Sequence, residues 1–309
     1  GLSQIKKEKC MTDLVTINTK DYESMAKAMG IANERSDTNK EKASTLARLR
    51  ISHTPIMGTA EVKGKEVNVE VVEGGMYKLE IPDGPTYFSK TIKVRPFMQR
   101  FMFKRFIMGK GDTKNRFIKT IMADNLNIDL KDSDGGFNCG KPSGWIEDFK
   151  ALPEAQQQLI RSCKRVRVVF GLVTMIDPVD STGASVDVQP QAFIWEVENR
   201  DAFKSIGKCF NDLARAKRLP VQHEIALSTE ANSLANGSTF YLPSPTLDLS
   251  KTIEVGDEDQ TMFANLVLWV KNYNDYILNQ WDENAHSKEE VDKAVLDDFI
   301  EIDSDEVVS

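Results

Sequence analysis

The sequence predicts an α+β protein with a mainly β core, a small closed or half-closed β-barrel carrying added N- and C-terminal helices. Three observations predict it. Apolar residues alternate in short runs between residues 51 and 247, glycine- and proline-rich turns separate those runs, and helical spacing is confined to the ends and to two inserted segments. The chain then divides into an N-terminal helical segment (1–50), a β core (51–253), a C-terminal helix (254–281) and an acidic tail (282–309).

Taken in order, Tyr22, Met25, Met29 and Ala32 fall at helical spacing, and 42–50 is a second short candidate helix. From Ile51 the period changes to two. Val62, Val67, Val69 and Val71 mark strands around the hairpin compositions Lys63-Gly64-Lys65 and Glu73-Gly74-Gly75. A long strand over 87–108 and its return over 115–122 follow, with Pro96 implying a bulge or an edge because it cannot donate to a ladder. A helix is expected over 145–160, restarted or kinked at Pro153. Strands are expected at 166–175 and 192–197, then an amphipathic helix over 201–218 with Phe203, Ile206, Phe210 and Leu213 on one face. A strand pair at 221–227 and 240–242 ends in the Pro243-Ser244-Pro245 turn, and 261–281 is helical.

Composition narrows the function classes. The four cysteines (Cys10, Cys139, Cys163, Cys209) form no CxxC pair, and the three histidines have no ligand-spaced partner, so neither a disulfide framework nor a metal centre is expected. No apolar run is long enough to span a membrane, and 1–7 lack the apolar core of a signal peptide; a cytoplasmic protein is expected. No P-loop, GxSxG or HExxH motif is present, and neither a catalytic centre nor a cofactor is expected. Glu196 with Glu198, or Asp129 with Asp132 and Asp134, are the carboxylates a metal-dependent nuclease would use. A virion structural protein assembling through its apolar strands is the other alternative.

The net charge of −7 conceals an asymmetry: residues 254–309 carry −13, leaving +6 for 1–253. The cations concentrate in 87–119, where ten basic residues face one acid, Asp112, and are interleaved with Tyr87, Phe88, Phe97, Phe101, Phe103, Phe106 and Phe117. Cations that track phosphates and rings that stack on bases are what a single-strand binder needs. Lys93, Arg95, Arg100, Lys104, Arg105, Arg116, Lys119, Arg165 and Arg167 are therefore candidates for phosphate contacts, and Phe97, Phe101 and Phe103 for stacking. Read as an uninterrupted strand, the odd positions from Lys93 to Arg105 form one cationic, aromatic face. Further basic residues lie over 201–218, and Trp145 and Trp195 are additional rings, Trp195 in a core-like run. The tail residues Asp297, Asp298, Phe299, Ile300, Glu301, Ile302, Asp303, Asp305 and Glu306 mix acids with apolar side chains. Such a tail should be mobile, able to compete with nucleic acid for the basic groove and to dock into a partner's basic pocket.

The order Thr45-Leu-Ala-Arg-Leu-Arg-Ile, a basic-aromatic strand pair, the 161–175 strand, a helix containing Lys204-Ser-Ile-Gly-Lys, the proline-containing 240–247 segment and an acidic tail resembles the single-stranded DNA-binding proteins of tailed bacteriophages, particularly of marine phages. The resemblance covers 45–250 and the tail. It implies an OB-fold core, non-catalytic coating of single-stranded DNA in replication or recombination, and tail contacts with replication or recombination proteins. The chain lacks the Cys/His zinc cluster of some related phage proteins.

Overall fold

The computed structural model describes residues 43–306, with side chains as far as His286. The elements in chain order are β1 (Ala47–Ser52), β2 (Ile56–Val62), β3 (Lys65–Val72), β4 (Met76–Glu80), β5 (Thr86–Ser89), β6 (Thr91–Ile107), β7 (Arg116–Lys119), α1 (Glu154–Ser162), β8 (Cys163–Ile176), β9 (Gln191–Val197), α2 (Arg200–Arg215), β10 (Ile225–Ser233), β11 (Thr239–Leu247) and α3 (Asp257–Glu306). The helical spacing of Tyr22 to Ala32 lies outside the described residues.

The fold is α+β, but the small OB-like barrel expected from the sequence is not what forms. Nine strands make one mixed sheet in the order β11-β10-β6-β8-β9-β1-β4-β5, with β7 added to β6, while β2 and β3 form a separate hairpin. Two features make the sheet large. Strands β6 and β8 pair from Thr91 with Ile176 to Arg105 with Cys163, far longer than a small barrel's staves. A parallel join of β1 to β9 then splices the N-terminal strands onto this pair, a link no hairpin pattern announces. The sheet curls enough for the Tyr77 hydroxyl on β4 to donate to the Ser228 carbonyl on β10 at 2.8 Å, and for Thr229 Oγ1 to donate to the Gly75 carbonyl at 2.7 Å. No backbone ladder joins β4 or β5 to β10 or β11, so the sheet does not close on itself.

Alternation along β8 sorts its side chains to two cores. Val169, Val173 and Met175 pack with Ile92, Val94, Trp195 and the Ile206 and Phe210 face of α2. Val166, Val168 and Phe170 pack with Met98, Met102 and the Leu266 and Val270 face of α3. Each helix therefore covers one face of the same central strands.

Local expectations were corrected where tertiary contacts dominate. Segment 42–50 contributes β1 instead of a helix, because Ala47 and Leu49 alternate inward while Arg48 and Arg50 face out. Helix α1 begins only after Pro153, its N-cap, leaving 141–148 as loop. Pro243 and Pro245 sit inside β11, tolerated because that strand pairs only with β10 and is an edge. The backbone of the acidic segment from 282 onward continues α3 through Glu306. The side chains of Asp297, Asp298, Phe299, Ile300, Glu301, Ile302, Asp303, Asp305 and Glu306 lie outside the described residues. Among the described residues no helix is long and apolar enough to cross a membrane.

Candidate nucleic-acid interface

The expected irregularity at Pro96 is present: the β6–β8 register shifts between Pro96 and Met98, leaving Phe97 as the extra residue. Gly171 opposes Pro96, and a Cβ there would fall 2.1 Å from the Arg95 carbonyl oxygen, so the bulge needs a glycine partner. An extra residue exchanges the two faces of a strand. Before the bulge Val94 points into the α2 core; after it Met98 and Met102 point to α3. The odd-numbered residues therefore do not form one surface. Lys93 and Arg95 lie on the α3 side, whereas Phe101, Phe103 and Arg105 share the α2 side with Arg165 and Arg167.

Several expected contacts are already engaged within the fold. Arg95 makes a paired contact with Asp259 at the start of α3, 2.7 and 2.9 Å, and donates to the Val221 carbonyl at 2.7 Å. Lys104 bridges Glu196 (3.0 Å) and Glu198 (2.6 Å), and Lys119 reaches Glu196 at 3.3 Å. Arg116 pairs with Asp134, and Arg100 approaches Asp124 at 3.7 Å. Phe97 and Phe103 are buried, each in a separate apolar cluster, and offer no face to a base. Lys93 is exposed and lies on the α3 side with Arg95, on the opposite face from Arg165 and Arg167.

The remaining candidates converge. Across the β6–β8 ladder Phe103 faces Arg165 and Phe101 faces Arg167, so rings and guanidinium groups alternate on one side of the sheet, with Phe103 and Arg167 buried, Phe101 half-buried and Arg165 exposed. Two residues that sequence reasoning passed over complete it. Phe203, from the first turn of α2, lies 5.7 Å from the Arg165 guanidinium and 4.4 Å from that of Arg167. Lys141 places its ammonium 5.3 Å from the Phe103 ring centre. Phe203 reads in the sequence as one more residue of an amphipathic face, and Lys141 as part of a glycine-rich loop; only the pairing of β6 with β8 brings them together.

Arg167 is buried, with Nη1 donating to Gln99 Oε1 at 2.6 Å and Nε to the Phe203 carbonyl at 3.2 Å. Gly207 makes room for it, since a Cβ there would sit 2.3 Å from Nη2. Arg105 donates to the Cys139 carbonyl at 2.8 Å. Among the described residues none of Arg105, Lys141, Arg165 and Arg167 pairs with a carboxylate. Burial and the neighbouring Arg165 push the Arg167 pKa down to about 10 and lower that of Lys141 as well. Arg167 remains a cation at neutral pH, held beside Arg165 with no carboxylate partner among the described residues. That arrangement favours an anion, with the rings supplying flat surfaces beside it.

The other sites are internally compensated. Asp132 is buried and its carboxylate accepts the Asp134, Gly136 and Cys139 amides, while Asp129 accepts from Asn138; these acids shape a loop. A groove of about 630 Å³ is lined by Arg48, Lys104, Phe117, Glu196, Glu198 and Tyr241, but its lysine and glutamates satisfy one another. Trp195 is core, as its run suggests, and Trp145 is exposed. A scan against protein-family models, a search of curated proteins and a search of solved structures each found no match.

Proposed function

We propose that this chain binds single-stranded nucleic acid, DNA in the first instance, without catalysis and with little sequence preference. The observation that carries the proposal is the alternation of Phe103 with Arg165 and Phe101 with Arg167 across β6 and β8, beside Lys141 and Phe203, with no carboxylate partner among the described residues. Arg165, Lys141 and Arg105 meet phosphates. The half-buried rings of Phe101 and Phe203 take bases, which only an unpaired strand can present. Arg167 is the buried post that holds those rings and adds positive potential.

The likeness to phage single-stranded DNA-binding proteins extends the proposal to phage DNA replication or recombination in a host cytoplasm, with the acidic tail as the surface for replication or recombination proteins. Fluorescence anisotropy of labelled oligo-dT, with duplex DNA as competitor at low and moderate salt, tests it. Tight, salt-sensitive preference for the single strand supports the proposal. No binding, together with stable oligomers whose assembly ignores salt, would move the assignment to a structural protein.

A further inference from the structure

The segment following Lys141 carries the most exposed large ring among the described residues, Trp145 at 88%. An indole is among the costliest side chains to leave in water. The loop is fastened at both ends. On one side the Lys141 amide donates to the Asn138 carbonyl at 3.1 Å and its ammonium lies over Phe103. On the other, Asp148 caps a short turn by accepting from the Ala151 amide, Gln157 donates to the Lys150 and Leu152 carbonyls, and Arg161 lies 5.2 Å from the Phe149 ring. Among the described residues no backbone–backbone hydrogen bond holds the residues in between, 142–147. Gly144 adopts φ +81° in open space and turns the chain immediately before the indole. Four residues from Lys141 reach at most about 14 Å, so Trp145 stays within one or two bases of the cation cluster.

Resting on the function proposed above, we infer that Trp145 is a stacking arm: it closes on a base of the single strand whose phosphates occupy the Lys141–Arg165 cluster. The occupant is a nucleobase because the ring lies four residues along the chain from Lys141, which has no carboxylate partner among the described residues, so a strand whose phosphates sit there brings a base within its reach.

The test is a fluorescence titration of the full chain with oligo-dT of about 16 nucleotides, comparing wild type, Trp145→Ala and Trp145→Phe, with circular dichroism checking the fold. Wild type is expected to lose indole emission on binding. Trp145→Ala should bind about 5- to 150-fold more weakly, the range for one lost stack. Trp145→Phe should recover most of the affinity while losing most of the quench. Alanine binding within twofold of wild type overturns the inference and leaves the cluster proposal standing; failure of wild type to bind overturns both.

Discussion

The Arg167 guanidinium lies 4.4 Å from the Phe203 ring centre while its Nε donates to the carbonyl of the same residue at 3.2 Å. One buried side chain thus grips both the backbone and the ring of the first turn of α2. The contact fixes a half-buried aromatic face beside Arg165, and it depends on the missing side chain at Gly207. Gly207→Ala should push the guanidinium out of place and destabilise the chain by about 1–3 kcal/mol, as overpacking does. Denaturant titration reads the loss, and an unchanged midpoint would mean that Arg167 does not need that space.

Arg165 and Arg95 should behave oppositely. Arg165 is exposed, so Arg165→Gln should leave stability within about 0.5 kcal/mol while weakening oligonucleotide binding. Arg95 is spent on Asp259, with both side chains little exposed (14% and 13%), so Arg95→Gln should cost about 3 kcal/mol of stability and leave the salt dependence of binding intact. Thermal melts alongside anisotropy titrations separate the two, and the reverse pattern would misplace the interface.

That contrast marks how far the sequence could be read. The concentration of cations and rings in 87–119 was legible, as was the irregularity at Pro96, because both are local. Which of those cations are free was not. Arg95 meets an acid 164 positions away, and Lys104 meets Glu196 through the β8–β9 pairing. The faces beyond Pro96 were misassigned because one extra residue, Phe97, inverts the alternation after it. Most strands could be found from their period, but the width of the sheet rests on the parallel β1–β9 join, which leaves no mark on composition or turns.

Glu196 gives the chain a pH signature. Burial opposes its charge, but Lys119 and Lys104 outweigh that and hold the carboxyl below its ordinary pKa. Its contribution is present above the unfolded value of about 4.3 and is lost as pH falls through the lower folded value. Lys104 runs the other way: burial lowers its pKa, Glu196 and Glu198 raise it more, and its contribution fades as pH rises through a folded value above the ordinary one. Glu196→Gln should lower the melting temperature at neutral pH, by about 3 kcal/mol of stability, and flatten the acid limb. Melting temperatures across pH check both limbs, and a variant with the wild-type acid limb would rule out Glu196 as its source.

The bond from the Tyr77 hydroxyl to the Ser228 carbonyl ties β4 to β10 where no ladder does. Tyr77→Phe should cost about 1 kcal/mol, with no change in oligonucleotide affinity. Equilibrium unfolding reads the cost; a loss of binding would show that the curl of the sheet shapes the interface as well.

The most direct test of the central claim is the salt dependence of oligo-dT affinity for wild type and for Lys141→Gln/Arg165→Gln. Each single-strand phosphate contact contributes about −0.7 to the slope of log K against log salt, so losing two should flatten it by about 1.4. That change, in a chain of unaltered stability, is the predicted result. A double variant that keeps both the wild-type slope and the wild-type affinity would contradict the account.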